Sequence, residues 1–153
     1  MNPISDSVRV EVTGIVQGVG FRPFVYNLAI QLSLTGWVRN TSAGVEMELN
    51  GDRQNISQFL ERLTNQLPPL ARIDTIHTET IPPNGSVTFE ILSSQPQPGQ
   101  LLPISPDVSI FLDCQHELFD PQNRRYHYPF INFTNCGPRY TIIRDTPYDR
   151  PNT

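Results

Sequence analysis

The sequence contains no lysine; all 11 of its basic residues are arginines. A Walker A phosphate loop and Schiff-base chemistry both need a lysine amine, so both are excluded. Cysteine is nearly absent, with only Cys114 and Cys136 in 153 residues, which rules out a disulfide-rich scaffold. No apolar run approaches the roughly 18 residues of a membrane-crossing helix. The first residues lack a basic stretch followed by an apolar one, so a signal peptide is not expected and a cytoplasmic location is. The net charge of -4 argues against a broad electrostatic grip on nucleic acid or an anionic membrane. Proline, in contrast, is abundant: 15 residues, mostly in the second half, nearly double the average usage of about 5%. A compact N-terminal part and a looser C-terminal part are expected.

Val8, Val10 and Val12 alternate with Arg9, Glu11 and Thr13, the pattern of a strand with one buried face. Gly14, Gly18 and Gly20 interrupt it. From Phe21 the period becomes helical, with Phe21, Phe24, Val25, Leu28 and Leu32 on one face and Pro23 in the first turn, where its missing N–H costs nothing. Leu34, Thr35 and Gly36 read as the helix end, Trp37 to Arg39 as a second strand, and Asn40 to Gly44 as a turn. Val45, Met47 and Leu49 mark a third strand, closed by Asn50 and Gly51. Ile56, Phe59, Leu60, Leu63 and Leu67 form a second helical stripe, stopped by Pro68 and Pro69. Ile73 to Ile81 is a weaker strand, and Val87, Phe89 and Ile91 a short last one.

The order β-α-β-β-α-β plus a short strand belongs to the α+β class, as a ferredoxin-like split βαβ sandwich with two helices on one face of an antiparallel sheet. Residues 1–92 suffice for it. Residues 93–106, SSQPQPGQLLPISP, read as a proline-rich linker. Residues 107–153 show poor periodicity and no independent core of useful size, so a metal, a partner or disorder would decide their state.

The informative stretch is Gln17, Gly18, Val19, Gly20, Phe21 and Arg22, between a strand and a helix start. Backbone N–H groups there have no intrahelical partners and sit at the positive end of the helix dipole, a natural cradle for an anion. Glycine at 18 and 20 lets the backbone turn sharply and approach a ligand. Arg22 can add a bidentate guanidinium contact to the same oxyanion. GxGxxG does not fit, because no glycine follows Gly20 at the required spacing. A merely glycine-rich strand–helix turn is the plain alternative.

The string Val16 to Arg22 resembles the signature of the acylphosphatase family, and Gly36 to Gly44, with Gly51 beyond, resembles that family's second motif. The resemblance implies a catalytic phosphate-binding Arg22, phosphoryl oxygens held by the backbone of Gln17 to Phe21, and an Asn40 that positions the attacking water. An acyl phosphate is an activated mixed anhydride, so positioning and charge stabilisation serve it better than a covalent nucleophile would. Asn40 as a plain strand-ending residue is the alternative, and Arg39 is expected on a solvated strand face. No organic cofactor is expected.

Further residues widen the resemblance to the N-terminal part of HypF-type [NiFe]-hydrogenase maturation carbamoyltransferases, over residues 8–153. They include Pro23, Pro106 to Val108, Glu117 to Pro121, Arg124 to Tyr126, Tyr128 to Asn132, Thr134 to Arg139 and Tyr148 to Pro151. It implies carbamoyl phosphate as the acyl phosphate, HypE as a partner, and later ATP-dependent carbamoyl-transfer domains that this chain does not contain. It also implies a four-cysteine zinc site at positions 111, 114, 133 and 136. Phe111 and Phe133 stand at two of them and cannot ligate, so a tetrahedral thiolate site does not close; Cys114 and Cys136 stay weak metal candidates, with His116 and His127 as the nearest substitutes. His77 reads as a partly exposed sheet residue.

Three readings remain open: an acyl phosphate hydrolase carried by residues 8–92; a fragment that acts only as a scaffold or is inert without missing domains; and an RNA-binding sandwich. Negative charge and the lack of RNP-type aromatic motifs argue against the last.

Overall fold

Alternation along Val8, Val10 and Val12 builds β1 (Asp6–Ile15), whose Val10 and Val12 are fully buried while Glu11 is exposed. In the computed structural model, residues 6–96 and 112–128 are described, together with Arg144 and Pro147. The elements that follow are α1 (Phe21–Gln31), β2 (Thr35–Asn40), β3 (Val45–Gly51), α2 (Arg53–Asn65), β4 (Arg72–Thr80) and β5 (Phe89–Ile91). They make a five-stranded sheet in the order β4-β1-β3-β2-β5. This is the expected ferredoxin-like α+β architecture.

Both helices cover one face of that sheet. Phe21, Val25, Leu28 and Ala29 of α1 and Ile56, Phe59 and Leu63 of α2 join Val10, Val12, Val38, Val45, Met47 and Leu49 in a single core. Burying each such large side chain stabilises the fold by about 1.5–3 kcal/mol. Asp52 caps α2, its carboxylate accepting the Gln54 N–H at 2.7 Å.

Two details depart from the sequence reading. The first helix ends at Gln31 rather than at Leu34 to Gly36. Ser33 takes a left-handed φ of 52° and reverses the chain, so Leu34 packs into the core from the connection, and Thr35 and Gly36 already pair with Asn50 and Leu49. The sheet is also mixed rather than wholly antiparallel. β4 occupies one edge beside β1, the chain then passes to the opposite edge, and β5 runs parallel to β2.

β1 and β2 are both antiparallel to β3 and therefore parallel to each other, so both finish at the same end of the sheet. Val45 makes the geometry definite: it pairs with Val12 on one side and with Asn40 on the other. Asn40 thus sits two strand spacings, about 10 Å, from Val12. It shares the helix-covered face, because cross-strand partners point the same way.

The opposite face carries a charged network. Glu48 accepts from Arg9 Nη2 at 2.7 Å, Asn84 Nδ2 at 2.7 Å and Trp37 Nε1 at 3.1 Å. Glu46 accepts from Arg39 Nε and Nη2 at 2.9 and 2.7 Å, and the Arg39 guanidinium lies 4.7 Å from the Trp37 ring centroid. Arg39 therefore belongs to this face. Burial alone would push the Glu48 carboxyl up, but the hydrogen bonds from Arg9, Asn84 and Trp37, with the Arg9 charge, outweigh it and hold the pKa below the ordinary glutamate value. A depressed native pKa contributes stability that is complete above the ordinary value and is lost as pH falls through the native one. Glu48→Gln is accordingly expected to cost about 1 kcal/mol near pH 7, discounted because Arg9 is half exposed, and to converge on the parent as pH falls below the ordinary glutamate value and through the native one. Urea titrations across that range check this; a constant difference between the two proteins would contradict it.

In the C-terminal segment, α3 (Leu112–Phe119) forms where periodicity gave no signal. Its stripe is weak because Leu112 and Phe119 are exposed and Cys114 is its one buried residue. The turns after it are closed by backbone bonds from His127 to Leu118 and from Tyr126 to Asn123, and by an Arg125–Glu117 ion pair. His77 is exposed on β4.

Candidate active site

β1 gives way to the loop of residues 16–20, and α1 begins directly after it. Val19 and Phe21 are buried in the core and Gln17 is almost fully buried, so these side chains point into the protein. What the stretch can offer a ligand is main chain. Gly18 and Gly20 take left-handed φ values of 69° and 79°, which a Cβ would strain. Gly20 is the N-cap of α1; no side chain caps the helix, and its first turn contains no acidic residue. The first-turn amides thus meet neither a competing side-chain cap nor a carboxylate that would repel an anion. Arg22, half-buried in that first turn, is the one basic residue of the stretch.

Asn40, the last residue of β2, is fully buried, and neither Oδ1 nor Nδ2 of its carboxamide has a hydrogen-bond partner among the described residues. An orphaned buried polar atom costs about 1–3 kcal/mol and calls for an explanation. A ligand or water beside the carboxamide supplies one.

The Gln17 side chain joins the two halves of the site. Its Nε2 donates to the Thr41 carbonyl at 2.7 Å and to the Gly44 carbonyl at 2.8 Å. The turn it grips is closed by Thr41 N–H to Gly44 O at 2.9 Å, with Thr41 Oγ1 accepting from the Ala43 and Gly44 amides at 3.2 Å. The sequence reading gave Gln17 a backbone role; the reach of its side chain, 24 and 27 residues along the chain, leaves no local signal. Gln17→Ala is expected to loosen the turn beside Asn40, raising hydrogen exchange at the Thr41 and Gly44 amides about tenfold while the exchange of β1 and β3 amides stays within twofold. Exchange measured by NMR checks this; unchanged Thr41 and Gly44 amides would contradict it.

Among the described residues, the metal candidates do not come together. Cys114 is buried on α3, His116 lies on the same helix, and His127 stacks on Tyr126 at 3.9 Å between ring centroids. Phe111, Phe133 and Cys136 lie outside the described residues. Among the described residues no three His, Cys, Asp or Glu side chains cluster as a metal site would require. With phenylalanine at two of the four zinc positions, the donor set does not fit a tetrahedral thiolate centre. Among the described residues, no helix is long and apolar enough to cross a membrane.

The family profile described as Acylphosphatase matches residues 8–91, and the profile of the HypF finger matches residues 112–143. Carbamoyltransferase HypF2 of Cupriavidus necator is 47% identical over 156 residues, covering 99% of this chain and 19% of that protein. An acylphosphatase of Syntrophotalea carbinolica is 49% identical over 74 residues, covering 48% of this chain and 77% of its own length. Among solved structures, full-length HypF in its phosphate- and nucleotide-bound form matches with a TM-score of 0.89 at 43% identity, covering 100% of this chain and 20% of that one. The chain thus spans about a fifth of the length of these HypF relatives. Residues 8–91 carry the loop, the helix start and the buried asparagine within one matched domain, and on that ground the chain belongs to the acylphosphatase family, in the form found as the N-terminal part of HypF carbamoyltransferases.

Proposed function

We propose that this site hydrolyses acyl phosphates, with carbamoyl phosphate as the substrate, in the service of [NiFe]-hydrogenase maturation. The single observation that carries the reading is the orphaned carboxamide of Asn40, buried at the sheet end where the glycine loop also lies. The kinship with acylphosphatases and HypF carbamoyltransferases supplies the substrate class.

In this reading the loop amides and the Arg22 guanidinium bind the phosphoryl oxygens and take up the charge that develops on them. The Asn40 carboxamide accepts from and donates to one water, aiming it at phosphorus without acting as a base. The water oxygen bonds to phosphorus as the bond between phosphorus and the bridging acyl oxygen breaks. The carboxylate leaves with that electron pair, and the water proton passes to a phosphate oxygen. Carbamoyl phosphate would yield carbamate and phosphate. In the longer HypF proteins, carbamate would go on to the carbamoyl-transfer step, with HypE as the receiving partner.

Phosphate release from carbamoyl phosphate and benzoyl phosphate, measured for the chain and for Arg22→Ala, tests the proposal. Turnover by the parent and background by the variant supports it. Equal, background release from both would overturn it in favour of a scaffold without independent catalysis.

A further inference from the structure

Beyond β5 the chain stays on the sheet edge. The Leu92 N–H donates to the Val38 carbonyl at 2.9 Å, and the Gln95 N–H donates to the Asn40 carbonyl at 2.8 Å. Thr41 and Gln95 form a parallel bridge. Between the two hydrogen bonds β2 advances from 38 to 40 while the outer chain advances from 92 to 95, so the outer chain carries one extra residue, as in a bulge. That bulge places Ser94, whose Oγ is buried without a hydrogen-bond partner among the described residues.

Asn40 is therefore held from both sides, by its pairing with Val45 of β3 and by Gln95. Its carboxamide makes no hydrogen bond among the described residues, so the aim of that group is set by its own main chain and by packing. We propose that residues 92–95 act as a strap that positions Asn40, with the Gln95 backbone N–H as the positioning group. The strap acts on water placement and leaves the phosphate cradle, which belongs to a different loop, untouched. This inference rests on the reading of Asn40 as the water-orienting residue. It ties that residue to the segment through which the chain leaves its acylphosphatase domain.

Gln95→Pro removes the N–H at an exposed edge position whose following residue is already Pro96, and Gln95→Ala keeps the N–H. In the full chain, Gln95→Pro is expected to lower kcat for benzoyl phosphate about tenfold, with KM and phosphate inhibition within twofold. The conservative Gln95→Ala should restore the parent rate. The side-chain amide resonances of Asn40 should shift in Gln95→Pro and not in Gln95→Ala. In the parent chain, the Gln95 amide should be protected from hydrogen exchange alongside that of Leu92. The resonance and exchange readings need no turnover, so they decide on the strap even where the parent proves inactive, an outcome that would sink the hydrolase reading alone. An unprotected Gln95 amide, unmoved Asn40 resonances, or equal losses in the proline and alanine variants would overturn the proposal.

Discussion

Arg22→Ala is expected to lower kcat/KM for an acyl phosphate by about 10²- to 10³-fold and to abolish measurable inhibition by inorganic phosphate, with the fold retained. The loop offers a dianion only neutral N–H donors, because the side chains of Gln17, Val19 and Phe21 are turned inward and Gly18 and Gly20 have none. Arg22 supplies the full positive charge of this stretch, and no lysine exists anywhere to replace it. Arg9 and Arg39 are committed to Glu48 and Glu46 on the opposite face of the sheet. Arg22→Lys is expected to recover a minor part, since an ammonium restores charge but not the planar fork that meets two phosphoryl oxygens at once. Initial-rate kinetics with phosphate as competitor, beside thermal melts, check both variants. Alanine activity within fivefold of the parent would remove Arg22 from the site.

The parts of this fold written in local periodicity are legible before any coordinates. Val10 and Val12, Val45, Met47 and Leu49, and the stripe Ile56, Phe59 and Leu63 are hydrophobic at the spacing their elements require, and all are buried. Long-range choices are not legible. Nothing in Phe89 to Ile91 states that the strand will cross to the far edge and run parallel to β2. The end of α1 is obscured because Leu32 and Leu34 continue the apolar pattern while Ser33 turns the chain. α3 shows no stripe because it buries little beyond Cys114. The same division holds at the candidate site. The glycines and Arg22 stand together in the sequence, and Asn40 follows from a second motif. The Gln17 side-chain grip on Thr41 and Gly44, and the Gln95 amide on the Asn40 carbonyl, link distant segments through main-chain acceptors that no residue pattern marks.

Asn40→Ala separates function from stability, because the two are expected to move in opposite directions. Turnover should fall about 10²-fold, as the water loses the group that orients it, while phosphate inhibition stays within threefold because the amides and Arg22 remain. Stability should hold or rise by about 1 kcal/mol. The native carboxamide is buried with neither oxygen nor nitrogen paired among the described residues, a burden of about 1–3 kcal/mol for each group. Alanine removes both orphans, and that relief offsets the cavity cost of truncating a buried side chain. A residue kept only to end β2 would behave otherwise: its truncation would lower the melting point by several degrees and leave turnover alone. Asparagine held unpaired at a strand end makes physical sense where its partner is the reacting water, since a protein gains nothing in folding from a polar group it refuses to satisfy.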